Sequence, residues 1–121
     1  MISVSRGDVV LVYFPFTDGS GAKRRPGLVV QCDADSRRLN AVIIALITSN
    51  TQRASIEPTQ ILIDPGSTEG AQSGLLHQSA VKCEHIATIH KTLVERVIGR
   101  LSPRLLADVD RGLKASLDLS Q

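Results

Sequence analysis

The run Lys23-Arg24-Arg25-Pro26 holds the residue types best suited to chemistry in this chain of 121 residues. A guanidinium stays charged at any physiological pH and offers a planar fork of five donors that matches a phosphate. Pro26 fixes its own φ and biases Arg25 toward extended geometry, so the Arg25 side chain leaves the run in a defined direction. The bland reading is a solvated basic loop. A second candidate is Thr48-Ser49-Asn50-Thr51, which follows the most apolar run of the sequence. Four hydrogen-bonding side chains where a buried strand emerges make a rim of donors and acceptors, or merely a turn that satisfies its own backbone.

The three histidines, His77, His85 and His90, invite an acid–base pair. Their spacing fits no HxxxH or HxH metal pattern, and a single histidine on a strand is more often a polar surface residue. Asp33, Asp35, Glu57, Asp64 and Glu69 are scattered and form no recognisable acid–base pair. There is no P-loop, no GxGxxG and no GxSxG. Neither a metal nor a cofactor is called for.

The elements that must position these residues read mainly as strands. Residues 8–16 are β-branched and aromatic, between Gly7 and Pro15–Phe16. Residues 17–26 combine turn formers with three consecutive positive charges and are expected to be an exposed loop. Further strands are expected from Gly27 to Cys32, Leu39 to Thr48, Ile61 to Ile63, Leu75 to Val81 and Val94 to Leu101. The Leu39–Thr48 run has too little polar alternation for a half-exposed strand, so it should be central. Residues 66–74, with three glycines, should loop. Ser102-Pro103 is an N-cap followed by proline at the first helical position. Leu105, Leu106, Val109, Leu113 and Leu117 then recur at helical spacing, predicting a C-terminal amphipathic helix of about four turns.

The chain should be one domain over residues 1–121, with an aliphatic core, since its only aromatic residues are Tyr13, Phe14 and Phe16. A net charge of +2 excludes a strong non-specific polyanion binder but permits one basic groove. Cys32 and Cys83 lie far apart without a CxxC and are expected to be buried, reduced thiols. Arg6 and Asp8 interrupt the N-terminal apolar run, which argues against a signal peptide or spanning helix and makes the cytoplasm the default compartment.

Taken in order, these segments resemble the MazF/PemK family of toxin endoribonucleases. Arg6-Gly7-Asp8-Val9 resembles the family's RGDV start, Arg25-Pro26-Gly27-Leu28-Val29-Val30 its R-P-x-L-V-V element, and Ile47-Thr48-Ser49 its I-T-S. Gly74-Leu75, Ser79-Ala80-Val81 and Ile86-Ala87-Thr88-Ile89 with Lys91 resemble its later G-L…S-V-V…I-R-T-I-D-K stretch. The match runs over roughly residues 5–118. Ala87 and His90 depart from that pattern, standing for an arginine and an acid, and Gln78 stands where an acid is frequent.

The resemblance implies a mainly β fold with helices, an SH3-like β-barrel carrying the C-terminal helix. It implies a homodimer, a cognate antitoxin that blocks the RNA groove, and sequence-selective, metal-independent cleavage of single-stranded RNA. Residue by residue, Arg25 falls on the catalytic arginine and Thr48 on the catalytic threonine. Ser20, Lys23, Arg24, Ser49, Asn50, Gln78, Ser79 and His85 are the expected RNA contacts. Two alternatives stay open: a same-fold toxin directed at DNA gyrase, and a catalytically silent nucleic-acid-binding module.

Overall fold

The computed structural model describes residues 2–15 and 22–120. Six strands form one antiparallel sheet in the order β4-β5-β3-β2-β1-β6. They are β1 (Asp8–Pro15), β2 (Ala22–Val29), β3 (Ala41–Thr48), β4 (Gln60–Ile63), β5 (Ser79–His90) and β6 (Val94–Arg100). The described residues also form two α-helices, α1 (Asp33–Arg38) and α2 (Pro103–Leu117), with a 3-10 turn at Lys91–Leu93. The sheet is not closed, since β4 and β6 are unpaired at its edges, but it is barrel-like in carrying apolar side chains on both faces.

One face joins Val9, Leu28, Ala45, Ile47, Ile63, Val81 and Cys83 to Val109 of α2. The other gathers Val10, Val12, Val29, Val42, Ile44, Ile89 and Val94. Successive strand residues point to opposite faces, so a strand buried on both sides shows no polar alternation, which is the pattern of β3. That strand is interior, as expected. The helix begins as its sequence predicts: Ser102 is the N-cap, and its Oγ accepts from the Leu105 N–H at 3.2 Å. Gly112 lets α2 approach the sheet, because a Cβ there would lie 2.9 Å from both Cys83 Sγ and Ile61 Cδ1.

The structure departs from the sequence reading at four places. Lys23–Pro26 is not loop but the first half of β2, already paired with β1 from Ala22 onward. Polar and charged residues carry no burial signal, so pairing to a neighbouring strand decided that segment. Residues 33–38 form a short helix where none was expected. Leu75 to Gln78 are not strand; β5 starts at Ser79 and runs to His90. Its polar half escapes the apolar-run test because its Glu84–Ile86 stretch is exposed. Both thiols are free, but only Cys83 is buried; Cys32 is exposed, just before α1.

The Arg6-Gly7-Asp8 segment is structural. Arg6 Nε donates to the Val30 carbonyl at 3.0 Å and its Nη2 to Asp110 of α2 at 2.7 Å, while Asp8 accepts from the Ser5 N–H at 2.8 Å. These bonds tie the chain start to the end of β2 and to α2.

Candidate active site

The β2–β3 ladder pairs Gly27 with Leu46, Leu28 with Ala45 and Val29 with Ile44. It stops at Gly27, where the next residue is Pro26, which has no N–H to give to a neighbouring strand. Continued two residues past its last pair, the same register would set Arg25 opposite Thr48. Both belong to the face that holds Val29 and Ile44. Arg25 is exposed and Thr48 half-buried.

Thr48 Oγ1 accepts the Asn50 N–H at 3.1 Å, and Asn50 Oδ1 accepts the Gln52 N–H at 3.2 Å. The turn reading of this segment is therefore correct, and it does not exclude the other. With its oxygen taken by a backbone donor, the Thr48 hydroxyl still has its proton to give. A second lone pair on the oxygen also stays open.

Thr48 opens onto a small cleft of about 90 Å³, lined also by Asn50, Arg53, Gln60 and Lys82. Two cations and three neutral hydrogen-bonding side chains face it, and no carboxylate lines it. Behind it, Thr59 Oγ1 and Gln60 Nε2 donate to the two oxygens of Glu84 at 3.0 and 2.8 Å. Partial burial works against the Glu84 charge, but these donors and nearby Lys82 outweigh it and hold the carboxyl below its ordinary value.

The other expected contacts are distributed unevenly. Lys23 shares the Arg25 face of β2 and is exposed. Arg24 lies on the opposite face: its Nε is 3.3 Å from both the Tyr13 hydroxyl and Glu95, and its guanidinium lies 5.7 Å from the Tyr13 ring centre. Tyr13 in turn donates to Glu95 at 2.9 Å. Arg24 is thus drawn into a β1–β2–β6 cluster away from Thr48. Ser49 and Asn50 are exposed beside Thr48. Gln78 is exposed at the entry to β5, whereas Ser79 is buried and donates to the His77 carbonyl at 2.9 Å. Ser20 lies outside the described residues.

His85 is exposed in a bulge: Ala45 pairs with Ile86 and Leu46 with Lys82, leaving residues 83–85 between them. His90 is at the far end of β5, opposite Ala41, where its ring caps the 3-10 turn by accepting from the Thr92 N–H at 3.2 Å. His77 is exposed. The structure brings no two of the histidines together on one ladder position. Among the described residues, no group of three or more His, Cys, Asp or Glu side chains could hold a metal ion.

Lys82 and Arg53 were missed from sequence. The first is a lone lysine in an apolar strand and the second a lone arginine in a polar loop. Neither has a local pattern that places it near Thr48.

The model of the PemK-like, MazF-like toxin family of type II toxin–antitoxin systems matches residues 5–117. The chain belongs to this family. A MazF/PemK relative, endoribonuclease MazF6 of Mycobacterium tuberculosis, is 38% identical over 106 residues, covering 87% of this chain and 88% of that one. Endoribonuclease EndoA of Bacillus subtilis is 32% identical over 117 residues, covering 96% of each. Among solved structures, a mycobacterial endoribonuclease in complex with its cognate antitoxin superposes with a TM-score of 0.75 at 22% identity, covering 98% of each chain. This last likeness bears on the MazF/PemK fold. No helix among the described residues is long and apolar enough to cross a membrane.

Proposed function

We propose that this chain is the toxin of a type II toxin–antitoxin system. It cuts single-stranded RNA as an endoribonuclease, with Arg25 and Thr48 acting on the scissile phosphodiester. The observation that carries the residue assignment is that Arg25 and Thr48 fall on the same sheet face, that of Val29 and Ile44, at the adjoining ends of the paired strands β2 and β3. Family membership and the endoribonuclease relatives support the activity.

RNA carries its own nucleophile. The neighbouring 2′-oxygen attacks phosphorus, the bond to the 5′-oxygen breaks, and the products are a 2′,3′-cyclic phosphate and a 5′-hydroxyl. The 2′-proton is lost to solvent or a nearby acceptor, and the leaving oxygen gains one. The protein's task is to hold attacking and leaving oxygens in line and to stabilise the extra negative charge on the phosphorane. Arg25 supplies a permanent positive charge and paired donors for the non-bridging oxygens. The Thr48 hydroxyl, its oxygen already engaged by Asn50, donates to a phosphate oxygen and fixes the strand against the sheet.

The chain acts as a homodimer whose RNA groove is covered by a cognate antitoxin. Support comes from the antitoxin complex of the mycobacterial neighbour and from large apolar side chains left in solvent, Leu76 at 88% and Ile56 at 69% exposure.

The test is incubation of the purified protein with single-stranded RNA in EDTA, followed by mapping of the cut ends. Internal fragments with 5′-hydroxyl and cyclic-phosphate ends are expected. Intact RNA across a broad set of sequences would overturn the reading.

A further inference from the structure

From the cleft beside Thr48 we infer a second phosphate subsite: Lys82, with Arg53, binds the phosphodiester next to the one that is cut. The inference rests on the endoribonuclease reading and extends it to how the strand is held. Thr48 pairs with Ala80 across the β3–β5 ladder, and Lys82 is two residues further along β5 on the same face. Diagonal neighbours of this kind lie about 7–8 Å apart, close to the step between successive phosphates of an extended single strand.

The chemistry of the lining selects an anion. Lys82 and Arg53 bring two positive charges, and Asn50 and Gln60 add amide donors. Glu57 accepts from Arg53 Nη2 at 2.7 Å, which orients the guanidinium and leaves its other donors. Glu84 occupies one amide donor of Gln60, fixing that side chain at the back of the cleft. No hydrogen bond or ion pair within 4 Å holds the Lys82 ammonium among the described residues, and the acid that senses it, Glu84, already accepts from Thr59 and Gln60. A volume of about 90 Å³ admits a phosphate group with a water and is too small to enclose a nucleobase. The two cations and the size of the cleft suit the phosphate backbone.

The experiment measures affinity for a fully 2′-O-methylated single-stranded oligonucleotide, which the protein binds but is unable to cut, across a series of salt concentrations. Each phosphate contact on a single strand contributes about 0.7 to the slope of log affinity against log salt. Lys82→Met should make that slope shallower by about 0.7, Lys82→Arg should retain it, and Lys114→Gln, the same charge change on the surface of α2, should leave it at the wild-type value. With cleavable RNA, Lys82→Met should raise KM roughly tenfold while kcat stays within about twofold, the pattern of lost uniform binding. An unchanged slope in Lys82→Met, or an equal loss in Lys114→Gln, overturns the subsite. If Lys82→Met makes the slope shallower but the wild-type protein cuts no RNA, the endoribonuclease reading falls and the subsite stands.

Discussion

Arg24 and Arg25 are consecutive in the chain and lie on opposite faces of β2. Arg25 shares its face with Val29 and the Thr48 end of β3, whereas Arg24 reaches the Tyr13 hydroxyl and Glu95 at 3.3 Å. The period-2 alternation of a strand makes neighbours in sequence strangers in space. Two arginines that look interchangeable in the sequence therefore stand in separate surroundings.

The first prediction follows from that division. Arg25→Ala should lower kcat for RNA cleavage at least ~100-fold, the scale of losing one preorganised donor to a developing oxyanion, with an unchanged circular dichroism spectrum. Arg24→Ala should still cut, and should show its effect as a Tm lowered by a few degrees. Comparable cleavage losses in the two variants would contradict the assignment of faces.

Thr48→Val keeps the shape of the side chain and removes its donor. A hydrogen bond to a charged group contributes about 1.5–3 kcal/mol, so kcat should fall roughly 10- to 100-fold. Thr48→Ser retains the hydroxyl and should keep most activity. Single-turnover kinetics on one RNA oligonucleotide separate these outcomes from changes in binding.

Gly74 has φ +74°, and a Cβ built on it would sit 2.0 Å from the Ile98 carbonyl oxygen. Gly74→Ala should cost about 2–4 kcal/mol, as strain and overlap act at once, and lower Tm by about 10 °C. Thermal denaturation checks it; a Tm within two degrees of wild type would show that the 64–78 segment does not pack against β6 as described.

The two cysteines should be distinguishable by thiol labelling. Cys32 is exposed and should react at neutral pH, whereas Cys83 is buried and its Sγ faces the Val109 carbonyl at 3.7 Å. Burial first, and then the charges of Glu84 and Asp110, push the Cys83 thiol up to about 11 from an ordinary 9.0. The folded state therefore keeps a proton that the unfolded state releases above pH 9.0, and stability should fall as pH rises from 9.0 toward 11. Denaturant midpoints measured across that range test the sign; in Cys83→Ala the fall should be smaller.

Local chemistry made much of this molecule legible before any coordinates. The Ser102-Pro103 start and the Leu105–Leu117 spacing specified α2 because capping and helical period act within a few residues. The apolar run ending at Thr48 announced a central strand because burial on both faces leaves no room for polar alternation. Arg25 and Thr48 were readable as candidates from proline-biased geometry, from a polar rim and from family resemblance.

What the sequence by itself determined, then, was which side chains had the right chemistry and which segments had to be buried. Tertiary structure alone decided the partners. Strand order and register set Gly27 opposite Leu46, next to the Arg25 and Thr48 ends of β2 and β3, turned Arg24 toward Tyr13 and Glu95, and brought Lys82 and Arg53 to one cleft. Antiparallel pairing joins residues far apart in the chain, and the bulge at residues 83–85 shifts everything beyond it. No local propensity encodes that offset, because it exists only in the pairing of β5 with β3, whose residues lie about 40 positions apart in the chain.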